Sequence, residues 1–346
     1  MNDIKKILLI RTDRIGDVVL SLPMLPMLKK KFPSASISVM VRSYTRELVQ
    51  HHSCVDEVLV CDDHKNISVV RSLLAGKNFD VAIHPYPRFQ LALATLLARI
   101  PIRVGTGYRW YSFFFNRKMY EHRKDARRHE AEYNIQLLHA LNIEPENELQ
   151  FEFPISHEAH NTVSEFLLRN GITSTDNFAV LHPGSGGSAR DWSAQNFSDL
   201  GDVIRGHYGF KIILTGGSNE RALLQHVADA MKFQPVCIAG EFNLEELGAL
   251  YTRASVFISN STGPLHIAAI VGTPVVAFYP PIVQCSAHRW GPYTERKKIF
   301  TADNKKCFLC KGGSCKSNVC MEQITIPQVL NGITELLMKG TQRFDS

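Results

Sequence analysis

The chain has 346 residues, of which 45% are hydrophobic and 21% charged, as in ordinary globular proteins. Because domains usually comprise about 100–200 residues, this length predicts two of them. The formal net charge of +6 is too small to make nucleic acid the expected partner, but it suits an anionic substrate or membrane surface. The first apolar run is too short for a signal peptide, and no apolar stretch reaches the ~20 residues that span a bilayer. We therefore expect a cytoplasmic protein with reduced cysteines.

Strand and helix signals alternate through the first half of the chain. Short apolar runs predict buried parallel strands at 7–11, 37–41, 57–60, 81–84 and 102–105. Apolar residues at helical spacing predict helices at 16–31, 45–51, 68–75, 89–98 and 129–141, the first of them split or kinked by Pro23 and Pro26. The aromatic and basic stretch 106–128 is predicted to be an irregular surface segment.

The alternation restarts after residues 144–154, which we interpret as a link between domains. Strands are predicted at 179–182, 211–215, 236–238, 256–259 and 275–278, and helices at 158–170, 194–207, 220–231, 244–252, 264–271 and 326–338. Such alternation with short loops indicates parallel sheets covered on both faces. The sequence thus predicts two α/β domains, 1–155 and 156–325, followed by a helix and tail, 326–346, that packs toward the N-terminal domain.

The first motif, Arg11-Thr-Asp-Arg-Ile-Gly-Asp17, directly follows the first predicted strand. Ligands of open α/β sheets bind beyond the carboxyl ends of the strands, so Asp13 and Asp17 lie where chemistry is expected. Gly16 allows a tight turn and the close approach of a substrate. Alternatively, Asp17 only occupies the first turn of a helix, where carboxylates are favoured. The motif is not G-x-G-x-x-G, so dinucleotide binding is not expected here.

Three loops in the second half combine small residues with strand ends or helix starts. They are His182-Pro-Gly-Ser-Gly-Gly-Ser188, Thr215-Gly-Gly-Ser-Asn-Glu220 and Asn260-Ser-Thr-Gly-Pro-Leu-His266. Their backbone N–H groups suit phosphate oxygens, and Arg190 could neutralise a diphosphate. Glu220 either accepts hydrogen bonds from ribose or only occupies the N-terminus of a helix. His266 is expected to be a packed, hydrogen-bonded residue and not a catalyst. Together the loops predict a ligand with more than one phosphate.

These motifs resemble glycosyltransferase family nine, the lipopolysaccharide heptosyltransferases, over nearly the whole chain. Further matching segments are Arg103-Val-Gly105, His129-Glu130 with Tyr133-Asn134, Arg190 with Trp192, and GTPVVAFY. The resemblance implies a GT-B fold, in which two Rossmann-like, doubly wound parallel-sheet domains face each other across a cleft. It also implies an inverting transfer without a metal cofactor. The donor would be ADP-L-glycero-D-manno-heptose or a related nucleotide sugar, and the acceptor a lipid A/Kdo-type lipopolysaccharide precursor at the inner membrane surface.

The resemblance also assigns roles to residues. The general base falls on Asp17, with Asp13 in the same loop as the alternative. The expected acceptor-binding residues come instead from the first motif and from the basic residues clustered among aromatic ones at 106–128; they are Arg14, Gly16, Arg109, Arg123, Arg127 and Arg128. The expected donor-binding residues are Gly184, Ser185, Gly186, Arg190, Trp192, Thr215, Gly216, Gly217, Glu220, Ser261, Thr262, Gly263, Pro264 and His266, with Arg190 on the phosphates and Glu220 on the ribose.

One position departs from the family. Ser261 stands where the family usually has an aspartate that contacts the donor sugar, and a hydroxyl cannot supply the same charged hydrogen bond. This departure leaves two alternatives open, a GT-B glycosyltransferase with a different nucleotide sugar, or a sugar-nucleotide epimerase or hydrolase. A non-enzymatic module that holds nucleic acid or membrane is least consistent with three phosphate-type loops.

Four cysteines form a separate group near the end of the chain. Cys307, Cys310, Cys315 and Cys320 have the spacing of a small metal-binding knuckle, and a cytosolic setting favours zinc over disulfides. The competing interpretation is four thiols in a loop. Either way, no cofactor is expected for catalysis, and a zinc ion would be structural.

Overall fold

Two parallel sheets, one in each half of the chain, organise the protein. The computed structural model describes residues 4–146, 148–187, 190–303 and 320–341. The chain divides into two compact units, one of Met1–Arg123 with Arg127–Pro154 and the other of Lys124–Ala126 with Ile155–Ser346. Among the helices of the described ranges, none has both the length and the apolar character that crossing a membrane requires.

The first unit contains a six-stranded parallel sheet. Its strands are β1 (Lys6–Ile10), β2 (Ser36–Val41), β3 (Glu57–Val60), β4 (Val81–Ile83), β5 (Ile102–Thr106) and β6 (Arg117–Met119), and its helices are α1 (Ile15–Val19), α2 (Met24–Lys31), α3 (Ile67–Leu74), α4 (Phe89–Leu97) and α5 (Glu130–Gln136). The spatial order is β3-β2-β1-β4-β5-β6. The chain therefore reverses its direction of winding between β1 and β4, and ligands bind at such switch points, beyond the carboxyl ends of the strands.

The first unit differs from the sequence-based prediction at 45–51, at 106–128 and at the end of the helix predicted at 129–141, where Leu137–Leu141 is a 3₁₀ helix. The segment predicted as a helix at 45–51 is a 3₁₀ helix, Ser43–Leu48. The stretch predicted to be irregular contains β6, which pairs with β5 at the sheet edge. β6 has no apolar pattern because it is a three-residue edge strand of two basic residues and one methionine, and charge on an edge opposes further pairing. The predicted break in the first helix is confirmed, since Pro23 separates α1 from α2.

The second unit repeats the architecture. Its strands are β7 (Phe178–His182), β8 (Lys211–Gly216), β9 (Val236–Ala239), β10 (Val256–Asn260), β11 (Val275–Tyr279) and β12 (Lys297–Thr301), and its helices are α6 (His157–Arg169), α7 (Ala194–Tyr208), α8 (Arg221–Ala230), α9 (Leu244–Arg253), α10 (Gly263–Ile270), α11 (Ala287–Trp290) and α12 (Ile326–Thr341). The order β12-β11-β10-β7-β8-β9 places the switch point between β7 and β10. Both units are doubly wound and Rossmann-like, as the sequence predicts.

The last helix completes the core of the second unit. Val329, Ile333 and Leu336 on α12 are buried in one hydrophobic cluster with Trp192 and Phe278. The apolar face of this helix is used within the second unit; that the helix packs toward the N-terminal domain stays a prediction. The strand β12, between the last predicted strand and this helix, was missed, since its sequence Lys-Lys-Ile-Phe-Thr begins with two lysines and shows no apolar run.

Candidate functional site

The loop after β1 holds two carboxylates beside a buried arginine. Arg11 is 1% exposed, and its Nε and Nη2 donate hydrogen bonds to the backbone oxygen and to Oδ1 of Asp17, at 3.0 and 2.9 Å. The same Nε lies 3.3 Å from Oδ1 of Asp13. One rigid guanidinium thus orients both acids at the carboxyl end of β1, next to the switch point of the sheet.

A third carboxylate reaches the same arginine from α5. Glu130 is buried, and its Oε1 lies 3.7 Å from Nη2 of Arg11 and forms an ion pair with Arg123. The start of α5 is fixed by a capping box between His129 and Glu132. Asn134 donates to the backbone oxygen of Leu20 at 2.9 Å, which ties α5 to the end of α1. We call Arg11, Asp13, Asp17, Glu130 and Arg123 the carboxylate cluster.

Burial sets the electrostatics of the carboxylate cluster. It raises the pKa of Asp17 to about 6, and the neighbouring Asp13 and Glu130 add to this rise while Arg11 opposes it. Burial also raises the pKa of Asp13, again against the attraction of Arg11. The side chain of Asp17 is 19% exposed and that of Asp13 10%. A carboxylate with a pKa near 6 is ionised at neutral pH and still basic enough for general-base work.

In the second unit, the loops after β7 and β8 close around Glu220. Its Oε2 accepts a hydrogen bond from the backbone N–H of Gly217 at 2.9 Å and lies 3.9 Å from Nε2 of His182. A Cβ at position 184 would collide with Oε1 of Glu220, so any larger residue there would displace the Glu220 carboxylate. His182 is 3.0 Å from the Thr215 hydroxyl, and burial lowers its pKa to about 4, so it is neutral at physiological pH.

Asn260 joins the loop after β10 to the loop after β7. Its side chain is fully buried, accepts from the backbone N–H of Trp192 at 2.7 Å and donates to the backbone oxygen of Pro183 at 2.7 Å. Because β8, β7 and β10 are neighbours in the sheet, the three small-residue loops meet at one edge. The sequence motifs that suggested phosphate binding are therefore side by side.

The family follows from comparison with known proteins. The model of "Glycosyltransferase family 9 (heptosyltransferase)" matches residues 67–319 of the chain. The chain belongs to this family. It is therefore an enzyme, a glycosyltransferase, as the resemblance of its motifs indicated.

Curated relatives of this glycosyltransferase span most of its length. A Haemophilus influenzae protein, named only provisionally as a glycosyltransferase, is 26% identical over 95% of this chain and 96% of its own. Lipopolysaccharide heptosyltransferase 3 of Escherichia coli K12 is 24% identical over 84% of this chain and 86% of its own.

Solved structures agree in fold. A family 9 glycosyltransferase from Veillonella parvula superposes with a TM-score of 0.84, at 25% identity, over 97% of this chain and 98% of its own. The ADP-heptose lipopolysaccharide heptosyltransferase II of E. coli gives a TM-score of 0.79 at 21% identity, over 97% and 99%. The glycosyltransferase thus has the GT-B fold that the resemblance implied.

Among the residues expected to bind acceptor, Arg123 has a different place in the structure. Its guanidinium forms the ion pair with Glu130 and donates to the side chain of Asn134 at 3.1 Å and to the backbone of Tyr133 at 3.2 Å. It is an internal partner of the carboxylate cluster, so the structure does not support its expected contact with acceptor. Arg14, Arg109, Arg127 and Arg128 are exposed, and Gly16 is buried in α1.

Among the residues expected to bind donor, Trp192 is corrected. Its side chain is 1% exposed and its ring lies 4.3 Å from that of Phe278, so it belongs to the core and not to a ligand-facing surface. Ser261, Thr262 and His266 are also largely buried around the start of α10. Burial raises the pKa of Tyr279 far above its ordinary value, and the neighbouring Ser261 hydroxyl opposes this rise.

Sequence reasoning missed several residues that hold these sites together. Arg11 ends the first predicted strand, and Glu130 and Asn260 stand in matching segments, but no role was assigned to them. Asp191 was also missed; burial raises its pKa, Ser185 lowers it and Glu220 raises it further. A charged residue within an apolar run or a motif is the signal that would have indicated Arg11 and Glu130, because such residues are buried only when they are paired.

The cysteine knuckle falls mostly outside the described residues. Cys307, Cys310 and Cys315 lie there, whereas Cys320 is buried in the core of the second unit. Within the part of the chain that the structure describes, no three histidine, cysteine or acidic side chains are grouped to hold a metal ion. A structural zinc at the four cysteines stays a prediction.

Proposed function

We propose that the enzyme is an inverting, metal-independent heptosyltransferase that moves L-glycero-D-manno-heptose from ADP-heptose to the lipopolysaccharide inner core. The observation that carries this proposal is that a family 9 chain contains two different sites, one in each unit. One is a phosphate-type edge built from three loops, and the other is a carboxylate pair at the switch point of the other sheet. The names of the two E. coli relatives support both the donor and the acceptor.

The second unit would hold the nucleotide. The loops after β7 and β10, including the start of α10, offer N–H groups for the diphosphate, and Arg190 adds a positive charge. These groups would stabilise the leaving diphosphate as its bond to the sugar breaks. Glu220, which Gly217 already orients, would accept hydrogen bonds from the ribose hydroxyls.

The first unit would supply the base. Asp17, or alternatively Asp13, would take the proton of the acceptor hydroxyl as its oxygen attacks the anomeric carbon from the face opposite the leaving diphosphate. Attack from that face inverts the anomeric configuration. A positioned carboxylate contributes typically ~10²–10⁴-fold in such a step.

A panel of donors tests the proposal. The enzyme would be incubated with ADP-heptose, other ADP-sugars and UDP-sugars, with and without a Kdo-lipid A acceptor. Mass spectrometry would then identify the products by their masses. We expect one heptose added to the acceptor. Turnover without acceptor would instead support the epimerase or hydrolase alternative that Ser261 suggests. Transfer of another sugar would show that the donor is not ADP-heptose.

Replacing Arg190 by alanine should weaken binding of ADP by about 2 kcal/mol, or roughly 30-fold in Kd, because a charge-assisted contact to the diphosphate is lost. Isothermal titration calorimetry measures this directly. Arg169→Ala, on the exposed last turn of α6, is the matched control and should bind ADP like the wild type. Equal affinities of the two variants would show that Arg190 does not hold the donor.

We further propose that the enzyme works on the cytoplasmic face of the inner membrane. An aromatic and basic surface supports this, formed by Tyr108, Trp110, Phe113 and Tyr120, which are 47–75% exposed, and by the exposed Arg109, Arg117 and Lys118. Such aromatic side chains favour the membrane interface, and the cations favour anionic headgroups.

Binding to vesicles that contain phosphatidylglycerol should therefore fall as salt rises from about 50 to 500 mM, because the Debye length shrinks below 10 Å. Co-sedimentation measures the bound fraction. The double variant Arg117→Glu, Lys118→Glu should bind less at low salt, and neutral phosphatidylcholine vesicles are the control. Binding that does not respond to salt would contradict the electrostatic part of the proposal.

A further inference from the structure

A second polar group in the first unit lies at the same sheet edge as the carboxylate cluster but has the opposite charge. Arg42 directly follows β2, His64 lies in the loop after β3, and Arg88 precedes α4 in the loop after β4. Since β3, β2, β1 and β4 are consecutive in the sheet, these three residues come from the loops that flank the one carrying Asp13 and Asp17. We call Arg42, His64 and Arg88 the basic trio.

His64 is buried with one ring nitrogen unused. The side chain is 7% exposed, and its Nδ1 lies 3.1 Å from the backbone oxygen of Asp62, which places the ring proton on Nδ1. Its Nε2 is buried and has no hydrogen-bond partner among the described residues. Nε2 can therefore accept a hydrogen bond, or take up a proton and become a donor when an anion lies beside it.

Both arginines are positioned by contacts with neighbouring side chains, but each has an N–H group that makes no hydrogen bond to any described residue. Arg42 stacks on Tyr44, 4.8 Å from the ring centre, and its Nε is 3.9 Å from the Asp62 carboxylate. Arg88 stacks on Tyr86 at 5.2 Å. In the part of the chain that the structure describes, the buried Nε of each arginine donates no hydrogen bond. Buried N–H groups are seldom left in this state unless a ligand or water completes them.

The basic trio is adjacent to the proposed base. The hydroxyl of Tyr44 donates to the backbone oxygen of Asp13 at 2.6 Å, so the residue on which Arg42 stacks also supports the first loop. Arg88 lowers the pKa of Asp13 against the effect of burial, and both arginines add to the burial that lowers the pKa of His64. Arg88 thus interacts electrostatically with both Asp13 and His64, and Arg42 interacts with His64.

We propose that Arg42, His64 and Arg88 form an anion subsite that holds a phosphate or carboxylate of the acceptor next to Asp13 and Asp17. Two permanently charged guanidinium groups favour an oxyanion over a neutral sugar or a cation. The subsite belongs to the acceptor because its loops flank the loop that carries the proposed base, in the unit without the phosphate-type loops. It rests on the proposed function, and it would bring the acceptor hydroxyl within reach of the base.

Kinetics of Arg88→Met and Arg42→Met test the subsite. We expect the KM for the acceptor to rise about 10-fold or more in each variant, with kcat within about threefold of wild type and the KM for the donor unchanged. Arg71→Met, an exposed arginine on α3, is the matched control and should behave as wild type. A lower kcat with a shifted pH profile and an unchanged acceptor KM would mean that Arg88 only tunes Asp13, which would overturn the subsite.

The acceptor itself separates the two sources of the anion. With a Kdo-lipid A acceptor and its dephosphorylated form, an effect of Arg88→Met that disappears after dephosphorylation identifies phosphate as the ligand. An effect that persists identifies the carboxylate. An acceptor KM that stays at the wild-type value for both forms counts against either.

A binding measurement that does not need turnover keeps the two proposals distinguishable. In the full-length protein labelled with ¹⁵N, the imidazole signals of His64, assigned with His64→Gln, should shift when inorganic phosphate is added, and the pKa of His64 should rise. Arg88→Met should suppress both changes. Unchanged His64 signals would refute the subsite. If they shift while the donor panel gives no heptose transfer, the proposed function fails and the subsite stands.

Discussion

Replacing Asp17 by asparagine is expected to lower kcat by at least ~10²-fold while the affinity for the donor stays nearly unchanged. Asparagine keeps the shape of the side chain and can still contact Arg11, but it has no basic lone pair of comparable strength. An acceptor alcohol is a poor nucleophile until its proton is taken, so the loss appears in the chemical step. Steady-state kinetics and calorimetry with ADP separate the two effects.

The pH profile provides a second readout of the same variant. Burial raises the pKa of Asp17 to about 6, so the wild-type kcat/KM should rise as pH increases through about 6 and level off above 7. Asp17→Asn should lose this acidic limb. Asp13→Asn is the matched variant, because Asp13 lies in the same loop and contacts the same arginine. Near-normal turnover in Asp17→Asn with a collapse in Asp13→Asn would assign the base to Asp13.

Replacing Arg11 by methionine should destabilise the first unit by roughly 3–5 kcal/mol at pH 7, since it removes one partner from a buried ion cluster. Methionine roughly fills the space, but Asp13, Asp17 and Glu130 then lose their shared guanidinium. Chemical denaturation, monitored by hydrogen exchange of the amides of β1 and β4, reports the free energy of unfolding of this unit separately from that of the other unit. A loss below about 1 kcal/mol would mean that the arginine is not needed to offset these charges.

Two comparisons give this prediction its control. Arg71→Met, on the exposed side of α3, should leave stability within ~0.5 kcal/mol of wild type. Adding Glu130→Gln to Arg11→Met removes one of the three carboxylates and should restore part of the loss, which a double-mutant cycle measures. Lower pH should also reduce the difference in stability between Arg11→Met and the wild type, because protonation removes the unpaired charges of the carboxylates.

Asp17 has its own effect on stability. Its pKa in the folded state, about 6, exceeds the ordinary value of 3.8, so the folded state binds this proton more tightly than the unfolded chain. The stabilisation from Asp17 is therefore fully present below pH 3.8 and is lost as pH rises through about 6. A residue that weakens the fold at the pH where it is ionised fits a catalytic carboxylate better than a structural one.

Local patterns in the sequence predicted most of the fold, because buried parallel strands are short apolar runs between helices. β6 and β12 were missed because both are edge strands rich in lysine or arginine, and their pairing depends on neighbours far away in the chain. Motif positions also predicted which loops meet, since strand order brings the ends of β7, β8 and β10 together.

The roles of individual charged and aromatic residues were harder to predict. Arg123 looked like one of several surface arginines, but its position relative to Glu130 is a tertiary property. Trp192 follows a phosphate-type loop, and its burial against Phe278 is equally invisible to local reasoning. The basic trio was not predicted at all, because its members are separated by more than 20 residues and only the sheet brings them to one edge.

The place of α12 in the second core has a consequence for synthesis of the protein. The first unit has all its strands and helices by Pro154, so it can fold while the ribosome is still making the rest. The second unit cannot, because Val329, Ile333 and Leu336 follow every strand of its sheet and still belong to its core. Until α12 emerges, Trp192 and its neighbours have an open apolar face that a chaperone would bind. Ribosome profiling of chaperone-bound nascent chains would detect this stage of synthesis. A chain truncated before Ile326 should fail to complete its second core and be degraded in the cell.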